Sequence, residues 1–272
     1  MRSTCTMLTR ALLAVTALFV AIAGNANELA AGKDTVLITG ANRGIGLGFA
    51  QHYAAAGWNV IATARSPRGA EELQTLAVQY PNVIVEALDV TDDNAINALS
   101  TRYQGKPIDL LINNAGVLGD LEAQRFGDYD ADVFQQVMAV NVFGPMKMSE
   151  AFADQVAASK HRKIVTITSS AAIITGASRP NALQFYSISK AAVNKAMRGI
   201  QGELASKGVL VILLSPGGVM TDMVREAFGD RVSQMNTQTV DQSVSAMAEV
   251  IAGVDSSYDG SHLDYKGNKI PW

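Results

Sequence analysis

The fold of this chain is decided by Thr35-Val36-Leu37-Ile38-Thr39-Gly40-Ala41-Asn42-Arg43-Gly44-Ile45-Gly46. An apolar, β-branched run leads into a glycine-rich turn, and the apolar residues that follow, through Tyr53, are spaced as one face of a helix. A strand, a glycine turn and a helix together present free backbone N–H groups and a helix N-terminus to a phosphate. The stretch therefore predicts a nucleotide-binding unit at the start of the fold.

Six further apolar runs predict strands, at residues 58–64, 83–88, 108–112, 163–168, 209–214 and 260–264. Helical stretches separate them, which is typical of a parallel sheet with right-handed crossovers. The sequence predicts an α/β fold: a single Rossmann-type, doubly wound, mostly parallel sheet of about seven strands flanked by helices. The 272 residues are 48% apolar, enough for one large core.

Two arginines stand where a dinucleotide would place its adenosine ribose. An NAD site usually carries an acidic residue about 20 residues past the glycine turn, but this chain has Ala64 and Arg65 there. Arg43 lies within the turn itself. Two guanidinium groups suit a 2′-phosphate, so the sequence favours NADP(H) over NAD(H). The alternative is that both arginines are simply solvated.

Polar and small residues end the third and fourth predicted strands. Asp89, followed by Val90, would meet an adenine edge or cap a helix that starts near Thr91. Asn113-Asn114-Ala115-Gly116 ends the next strand, and its small residues allow a cofactor to lie close. Ligands of doubly wound sheets bind at these carboxyl ends.

Tyr186 and Lys190 form a Tyr-x-x-x-Lys pair in a stretch that reads as helix. Residues four apart share one helical face. A phenol has an ordinary pKa of about 10, and a neighbouring cation lowers it. The pair therefore predicts a proton donor for carbonyl or alcohol chemistry.

The combined motifs resemble those of the short-chain dehydrogenase/reductase family. The glycine turn, Asn113-Asn114-Ala115-Gly116, Asn141, Ser169, the Tyr-Lys pair and Pro216-Gly217 follow the family's order and rough spacing over residues 33–272. The segments 216–223 and 263–272 resemble the carbonyl-reductase branch that includes the C-factor-like proteins.

The resemblance implies a role for each matching residue. Tyr186 would be the acid/base, and Lys190 would lower its pKa and bind the nicotinamide ribose. Ser169, with Ser170 as the alternative, would polarise the carbonyl, and Asn141 would hold a water in a proton relay. The expected cofactor-binding positions are Gly40, Asn42, Arg43, Gly44, Ile45, Gly46, Arg65, Asp89, Val90, Asn113, Ala115, Gly116, Tyr186, Lys190, Pro216, Gly217, Val219 and Thr221.

The resemblance implies an NADP(H)-dependent carbonyl reductase (EC 1.1.1.-), assembled as a homodimer or homotetramer. The substrate would be a small apolar carbonyl or alcohol, because the expected pocket segments carry Ile173, Ile174, Leu183, Phe185, Met220 and Met223. One alternative is a non-catalytic NADP(H)-binding sensor or signalling module. A second is an epimerase or dehydratase, although about 50 residues after Thr221 are few for the substrate domain of such enzymes.

Two partner classes are not expected. The formal net charge is −3 with no basic stripe, which argues against nucleic acid. His52, His161 and His262 are scattered, and no Cys/His cluster has the spacing of metal ligands, so no metal site is predicted.

Residues 1–26 resemble a secretory signal peptide. Arg2 and Arg10 form a positive region before an apolar run from Ala11 to Ala23, and small residues suitable for cleavage lie at its end. The run is shorter than the ~20 residues that span a bilayer, so cleavage and export are favoured over a permanent anchor. Because NADP(H) is a cytoplasmic cofactor, two alternatives stay open: a tethered protein with its domain in the cytoplasm, or a later start at Met7 or beyond.

Overall fold

The computed structural model describes residues 28–176, 183–234 and 236–272. These residues form one sheet of seven strands, all parallel, in the order β3-β2-β1-β4-β5-β6-β7. The strands are β1 (Thr35–Ile38), β2 (Asn59–Ala64), β3 (Val83–Ala87), β4 (Leu110–Asn113), β5 (Lys163–Ile167), β6 (Leu210–Ser215) and β7 (His262–Asp264). The predicted doubly wound sheet is confirmed, with ends that differ from the prediction by one or two residues.

The helices fill the crossovers between strands. They are α1 (Gly44–Ala55), α2 (Glu71–Gln79), α3 (Asp93–Arg102), α4 (Ala131–Met138), α5 (Gly144–Ala151), α6 (Ala153–Ala157), α7 (Gln184–Leu204), α8 (Asp222–Phe228) and α9 (Val240–Gly253). A π-helical turn, Ala139–Phe143, joins α4 to α5. The Asp92 carboxylate caps α3, so the helix expected near Thr91 begins two residues later.

Alternation along the strands divides the core into two layers, because successive side chains point to opposite faces. Val36 and Ile38 pack in the layer that holds α1, α2 and α9, whereas Leu37 packs in the layer that holds α3, α5 and α7. All three are fully buried. Both faces of the sheet are covered, which explains why the strands read as continuous apolar runs rather than alternating ones.

The strand order reverses between β1 and β4, which are hydrogen-bonded neighbours. Chains leaving these two strands turn to opposite sides of the sheet, which opens a crevice beyond their carboxyl ends. The glycine turn and the segment that begins at Asn114 therefore face each other across it.

One expectation lies outside the described residues, namely the signal-like segment at residues 1–26. Within the described residues, no helix is both long enough and apolar enough to cross a membrane.

Candidate active site

The glycine turn packs so closely that side chains are excluded at two positions. Gly40 has φ +65°, and a Cβ there would lie 2.9 Å from the Cα of Ala115. A Cβ on Gly46, in the first turn of α1, would lie 2.2 Å from the Gly40 carbonyl oxygen. This contact holds the start of α1 against the turn, so its first N–H groups border the crevice.

Thr39 and Asn114 join the two sides of the crevice. The Thr39 hydroxyl accepts hydrogen bonds from the backbone N–H groups of Asn114 and Ala115, both at 3.0 Å. The Asn114 amide donates to the carbonyls of Thr39 and Gly40, each at 3.0 Å. The ends of β1 and β4 are therefore fixed relative to each other by side chains that the predicted site did not include.

A cleft of about 1090 Å³ runs along this edge of the sheet. Small-molecule pockets usually span about 300–1,000 Å³, so the cleft has room for a dinucleotide and a substrate together. Its walls include most of the expected cofactor positions: Gly40, Asn42, Arg43, Gly44, Ile45, Arg65, Asp89, Val90, Ala115, Gly116, Tyr186, Lys190, Pro216, Gly217, Val219 and Thr221.

Two expected cofactor positions do not line the cleft. The Asn113 side chain is buried on the opposite side of β4, where its amide donates to the Ser149 hydroxyl at 3.1 Å. Strand alternation explains this, because Asn113 shares a side with Leu111 and not with Ile112. Gly46 is buried behind the turn and acts through packing. Asn114, next along the chain from Asn113, lines the cleft instead.

Asp89 lines the cleft and also shapes the chain locally. One carboxylate oxygen accepts from the Thr91 backbone N–H at 2.9 Å and from the Thr91 hydroxyl at 2.7 Å. Asp89 therefore closes a turn before α3, and the expected capping role belongs to Asp92.

Both arginines expected to contact the cofactor line the cleft. Arg43 forms a long ion pair with Asp222, 3.7 Å between charged atoms, and both side chains are about two-thirds exposed. Exposed pairs of this kind contribute little, so Arg43 can exchange Asp222 for an anionic ligand at little cost. Ser66, Gly69 and Ala70, which follow Arg65 in the chain, also line the cleft and were not predicted.

Ser169, Tyr186 and Lys190 meet on one wall of the cleft. Ser169 and Tyr186 share a side-chain hydrogen bond. The Lys190 ammonium lies 5.6 Å from the centre of the Tyr186 ring and donates to the Ile167 carbonyl at 2.9 Å. The predicted trio is therefore brought together, with the ammonium anchored at the end of β5.

The pKa of Tyr186 moves in the direction opposite to the sequence expectation. Burial of the phenol raises its pKa, and the hydrogen bond with Ser169 only partly opposes this. Burial also lowers the pKa of Lys190 to about 8. Desolvation is the largest cause of both shifts, because burial penalises the charged forms of both groups.

The two candidate serines differ in their surroundings. Ser169 bonds Tyr186 and also accepts from the Ala171 N–H at 3.1 Å. Ser170 is exposed, although it lines the cleft as well. The geometry therefore favours Ser169 as the partner of the phenol.

Asn141 lies in the π-helical turn, directly behind the cleft wall. Its amide oxygen accepts from the Val117 N–H at 2.8 Å, and its amide nitrogen donates to the Val117 carbonyl at 2.9 Å and the Ser189 hydroxyl at 3.0 Å. Ser189 in turn donates to the Tyr186 carbonyl at 2.7 Å. Insertions of this π type occur often at functional sites, and this one links Val117 to the helix that carries Tyr186.

The cleft also carries most of the apolar side chains that the sequence predicted for the substrate pocket. Ile173, Ile174, Leu183 and Met223 line it, and so do Leu118 and Phe228, which the sequence did not indicate. Two expected members do not take part. Phe185 is buried and packs against Tyr129 and Phe134, and Met220 does not line the cleft. Arg231 adds an exposed cation to the wall.

The three histidines were expected to be scattered, but the fold brings His161 to two carboxylates at the amino ends of the strands. Its Nε2 lies 3.0 Å from Asp34, and Asp109 lies close by. The Asp109 carboxylate already accepts from the backbone N–H groups of Thr35 at 2.9 Å and of Lys160 at 3.2 Å. These bonds account for the cluster as a means of tying β1, β4 and β5 together.

Comparisons with known proteins agree with this geometry. The family model described as short chain dehydrogenase matches residues 34–231. An uncharacterized oxidoreductase of Schizosaccharomyces pombe is 31% identical over 256 residues, which cover 89% of this chain and 99% of the relative. The chain therefore belongs to the short-chain dehydrogenase/reductase family of oxidoreductases.

Solved structures extend the likeness. The NADPH-bound carbonyl reductase from chicken fatty liver has 33% sequence identity and a TM-score of 0.79, covering 88% of this chain and 99% of that chain. A short-chain dehydrogenase/reductase from Burkholderia multivorans with bound NADP has 29% identity and a TM-score of 0.75, covering 88% of this chain and all of that chain. A nicotinamide dinucleotide is thus the cofactor class that these likenesses support.

Proposed function

We propose that this chain is an NADP(H)-dependent carbonyl reductase. The observation that carries the proposal is the meeting of Ser169, Tyr186 and Lys190 on one wall of a cleft that Arg43 and Arg65 also line. The bound cofactor would supply the hydride, and the protein supplies orientation, a proton and charge stabilisation.

Each side chain has a defined task in this mechanism. The Ser169 hydroxyl, which bonds the Tyr186 phenol, holds the carbonyl oxygen within reach of that phenol. Tyr186 donates its proton to this oxygen as negative charge develops there. Its raised pKa keeps the phenol protonated at neutral pH, which suits an acid in the reduction direction.

Lys190 stabilises the phenolate that remains. Its ammonium lies 5.6 Å from the phenol ring, and a pKa of about 8 leaves it mostly charged at neutral pH. Asn141, through Ser189, fixes the backbone at Tyr186. The water relay implied for Asn141 by family resemblance is part of the same proposal.

The arginines support NADP(H) over NAD(H). Arg65 is exposed and lines the cleft, at the position past the glycine turn that usually contacts the adenosine ribose, and the exposed Arg43 lines the cleft as well. A bidentate bond to a 2′-phosphate is the contact that guanidinium groups make best. The solved NADPH-bound and NADP-bound relatives support the same preference.

The substrate would be a small, largely apolar aldehyde or ketone. Ile173, Leu183 and Met223 offer apolar contacts on the wall next to Tyr186. Such walls exclude water and so strengthen the electrostatic contacts at the reacting oxygen.

The test is oxidation of NADPH and NADH by the purified chain over a panel of aldehydes, ketones and quinones, with Tyr186→Phe as the matched variant. We expect turnover with a preference for NADPH, and a loss of about 10²- to 10⁴-fold in kcat for the variant. Binding of NADPH to the variant should be unchanged. Tight NADPH binding without turnover on any carbonyl would favour a sensor, and a variant as active as the wild type would refute the mechanism.

A further inference from the structure

The loop between β4 and α4 is exposed at nearly every position from Glu122 to Asp130, with one conspicuous exception. Gln124 is fully buried, with 0% of its surface exposed. Burying an amide is costly unless all its donors and acceptors are bonded. A buried glutamine in an exposed loop therefore needs hydrogen-bond partners that offset the free-energy cost of burying its amide.

Gln124 has such partners on both sides. Its Oε1 accepts from the backbone N–H groups of Phe185 at 3.1 Å and Tyr186 at 3.3 Å. Its Nε2 donates to the carbonyls of Leu118 at 3.1 Å and Asp120 at 3.0 Å. A glutamine amide has two donor hydrogens and an acceptor oxygen with two lone pairs, so its hydrogen-bonding capacity is used in full.

The acceptor side caps the start of α7. The first N–H groups of a helix have no partner within the helix, and a side chain next to the N-terminus usually supplies one. At α7 the preceding residue, Leu183, provides no side-chain cap. Gln124, about 60 residues earlier in the chain, supplies it in the turn that carries Tyr186.

The donor side is anchored on the cleft wall. Leu118 lines the cleft two residues after Gly116. One amide therefore sets the distance between the wall that follows β4 and the backbone of Tyr186. A displacement of about 1 Å at a reacting group can cost about a hundredfold in rate.

We propose that Gln124 is a positioning residue for Tyr186, which it holds at its working distance from the cleft wall. The inference rests on the proposed reductase function, because it concerns the acid of that reaction. Gln124 does not line the cleft, so it acts through the helix and not on the substrate.

The variant Gln124→Leu removes both sets of hydrogen bonds. We expect kcat to fall about 10- to 100-fold, with the dissociation constant for NADPH changed by less than about threefold. The measurement is steady-state and single-turnover reduction well below the melting temperature, with activity expressed per folded protein. A purely structural role would lower the melting temperature and leave this kcat unchanged, which would overturn the proposal.

Gln155→Leu is the matched control. Gln155 is also buried, and its amide donates to the carbonyl and the hydroxyl of Ser100 at 3.1 and 3.0 Å. It lies at the amino ends of the strands, far from the cleft. We expect a comparable loss of stability with kcat unchanged. An equal loss of kcat in both variants would show that Gln124 has no special link to Tyr186.

A second variant covers the case in which Gln124→Leu does not fold. Gln124→Glu keeps the acceptor for Phe185 and Tyr186 but places an oxygen opposite the carbonyls of Leu118 and Asp120. A carboxyl that is protonated can donate one of the lost bonds, so we expect kcat relative to wild type to recover as pH falls from 8 towards 5.5. A ratio of one at pH 8 would overturn the proposal.

Failure of the proposed function itself has a separate signature, namely wild-type protein that reduces no carbonyl. The positioning role then remains testable through the ionisation of Tyr186, isolated as the ultraviolet difference between each protein and its Tyr186→Phe counterpart. Gln124→Leu should shift that ionisation and Gln155→Leu should not. An unshifted ionisation in Gln124→Leu would overturn the positioning role.

Discussion

Replacing Gly46 by alanine tests the close packing that builds the nucleotide turn. The added Cβ would lie 2.2 Å from the Gly40 carbonyl oxygen and 2.5 Å from the Asn114 amide nitrogen. Real contacts of a Cβ stay above 3.0 Å, so the turn or α1 must move by 0.8 Å, the difference between 3.0 and 2.2 Å. The Gly40 carbonyl is backbone, and the Asn114 amide is already hydrogen-bonded to Thr39 and Gly40. Neither neighbour is a flexible side-chain end that could move aside.

The free-energy cost has two parts. Forced repacking of this kind costs about 1–3 kcal/mol. Loss of the bonds from Asn114 to Thr39 and Gly40 adds about 1 kcal/mol each, and the gain from alanine in a helix returns about 0.5–1 kcal/mol. The net loss is about 2–4.5 kcal/mol, or roughly 4–18 °C in melting temperature for a domain of this size.

Two other glycines provide a graded control. On Gly48 a Cβ would lie 2.6 Å from a methyl of Val240, a side-chain end that can move, whereas on Gly199 in α7 it would meet nothing within 4 Å. Stability, measured by circular dichroism on heating, should fall most for Gly46→Ala, less for Gly48→Ala, and rise slightly for Gly199→Ala.

NADPH affinity should fall in Gly46→Ala and stay unchanged in Gly199→Ala, because only the former displaces the turn. A Gly46→Ala protein as stable as the wild type, with unchanged NADPH binding, would refute the packing argument.

Three further predictions concern charge and protonation. Because burial lowers the pKa of Lys190 to about 8, kcat/KM for reduction should fall as pH rises through that value. In Lys190→Arg this fall in kcat/KM should occur at higher pH. If the fall occurs at the same pH in both proteins, it reports the ionisation of another group. Burial also lowers the pKa of His262 to about 4, below the ordinary 6.5, so the unfolded chain binds the proton first. The free energy of unfolding should fall by up to roughly 3 kcal/mol from pH 6.5 to 4. In His262→Gln the melting temperature should change less with pH over this range. Equal pH dependence of the melting temperature in the wild type and the variant would contradict this. Arg65→Gln should weaken NADPH binding about 10- to 100-fold and leave NADH binding unchanged. The control is Arg68→Gln, because Arg68 is exposed and does not line the cleft, and this variant should bind both cofactors as the wild type does. An equal loss of NADPH and NADH binding in Arg65→Gln would show that Arg65 does not contact the 2′-phosphate.

The sheet could be predicted from the sequence because parallel strands buried on both faces leave uninterrupted apolar runs. The strand ends were less certain, since hydrogen bonds and not hydropathy set them. At β4 the predicted start at Ile108 moved to Leu110, where the pairing with Val36 begins.

Choosing between neighbouring residues needed the register of the sheet. Asn113 and Asn114 are chemically identical, and only strand alternation places the first behind the sheet and the second on the cleft. On α7 it is the position around the helix, and not the register of the sheet, that places Phe185 inside and Tyr186 on the cleft.

Residues that act across long separations left no local pattern. Gln124 meets the start of α7 about 60 residues later in the chain, and Asp34 meets His161 across 127 positions. The direction of the Tyr186 pKa was missed for a related reason. The spacing to Lys190 is visible in the sequence, but the desolvation that sets the direction of the pKa shift depends on the whole fold.

The Thr39 hydroxyl has a consequence for how this protein can evolve. It accepts hydrogen bonds from Asn114 and Ala115, which lie 75 and 76 positions later in the chain. The ends of β1 and β4 are therefore aligned by direct contact and not through the segments between them. Surface loops among α2, α3 and the strands they join can therefore lengthen or shorten without disturbing that alignment. Variation in those loops is a route to new regulation or new partners that leaves the chemistry intact.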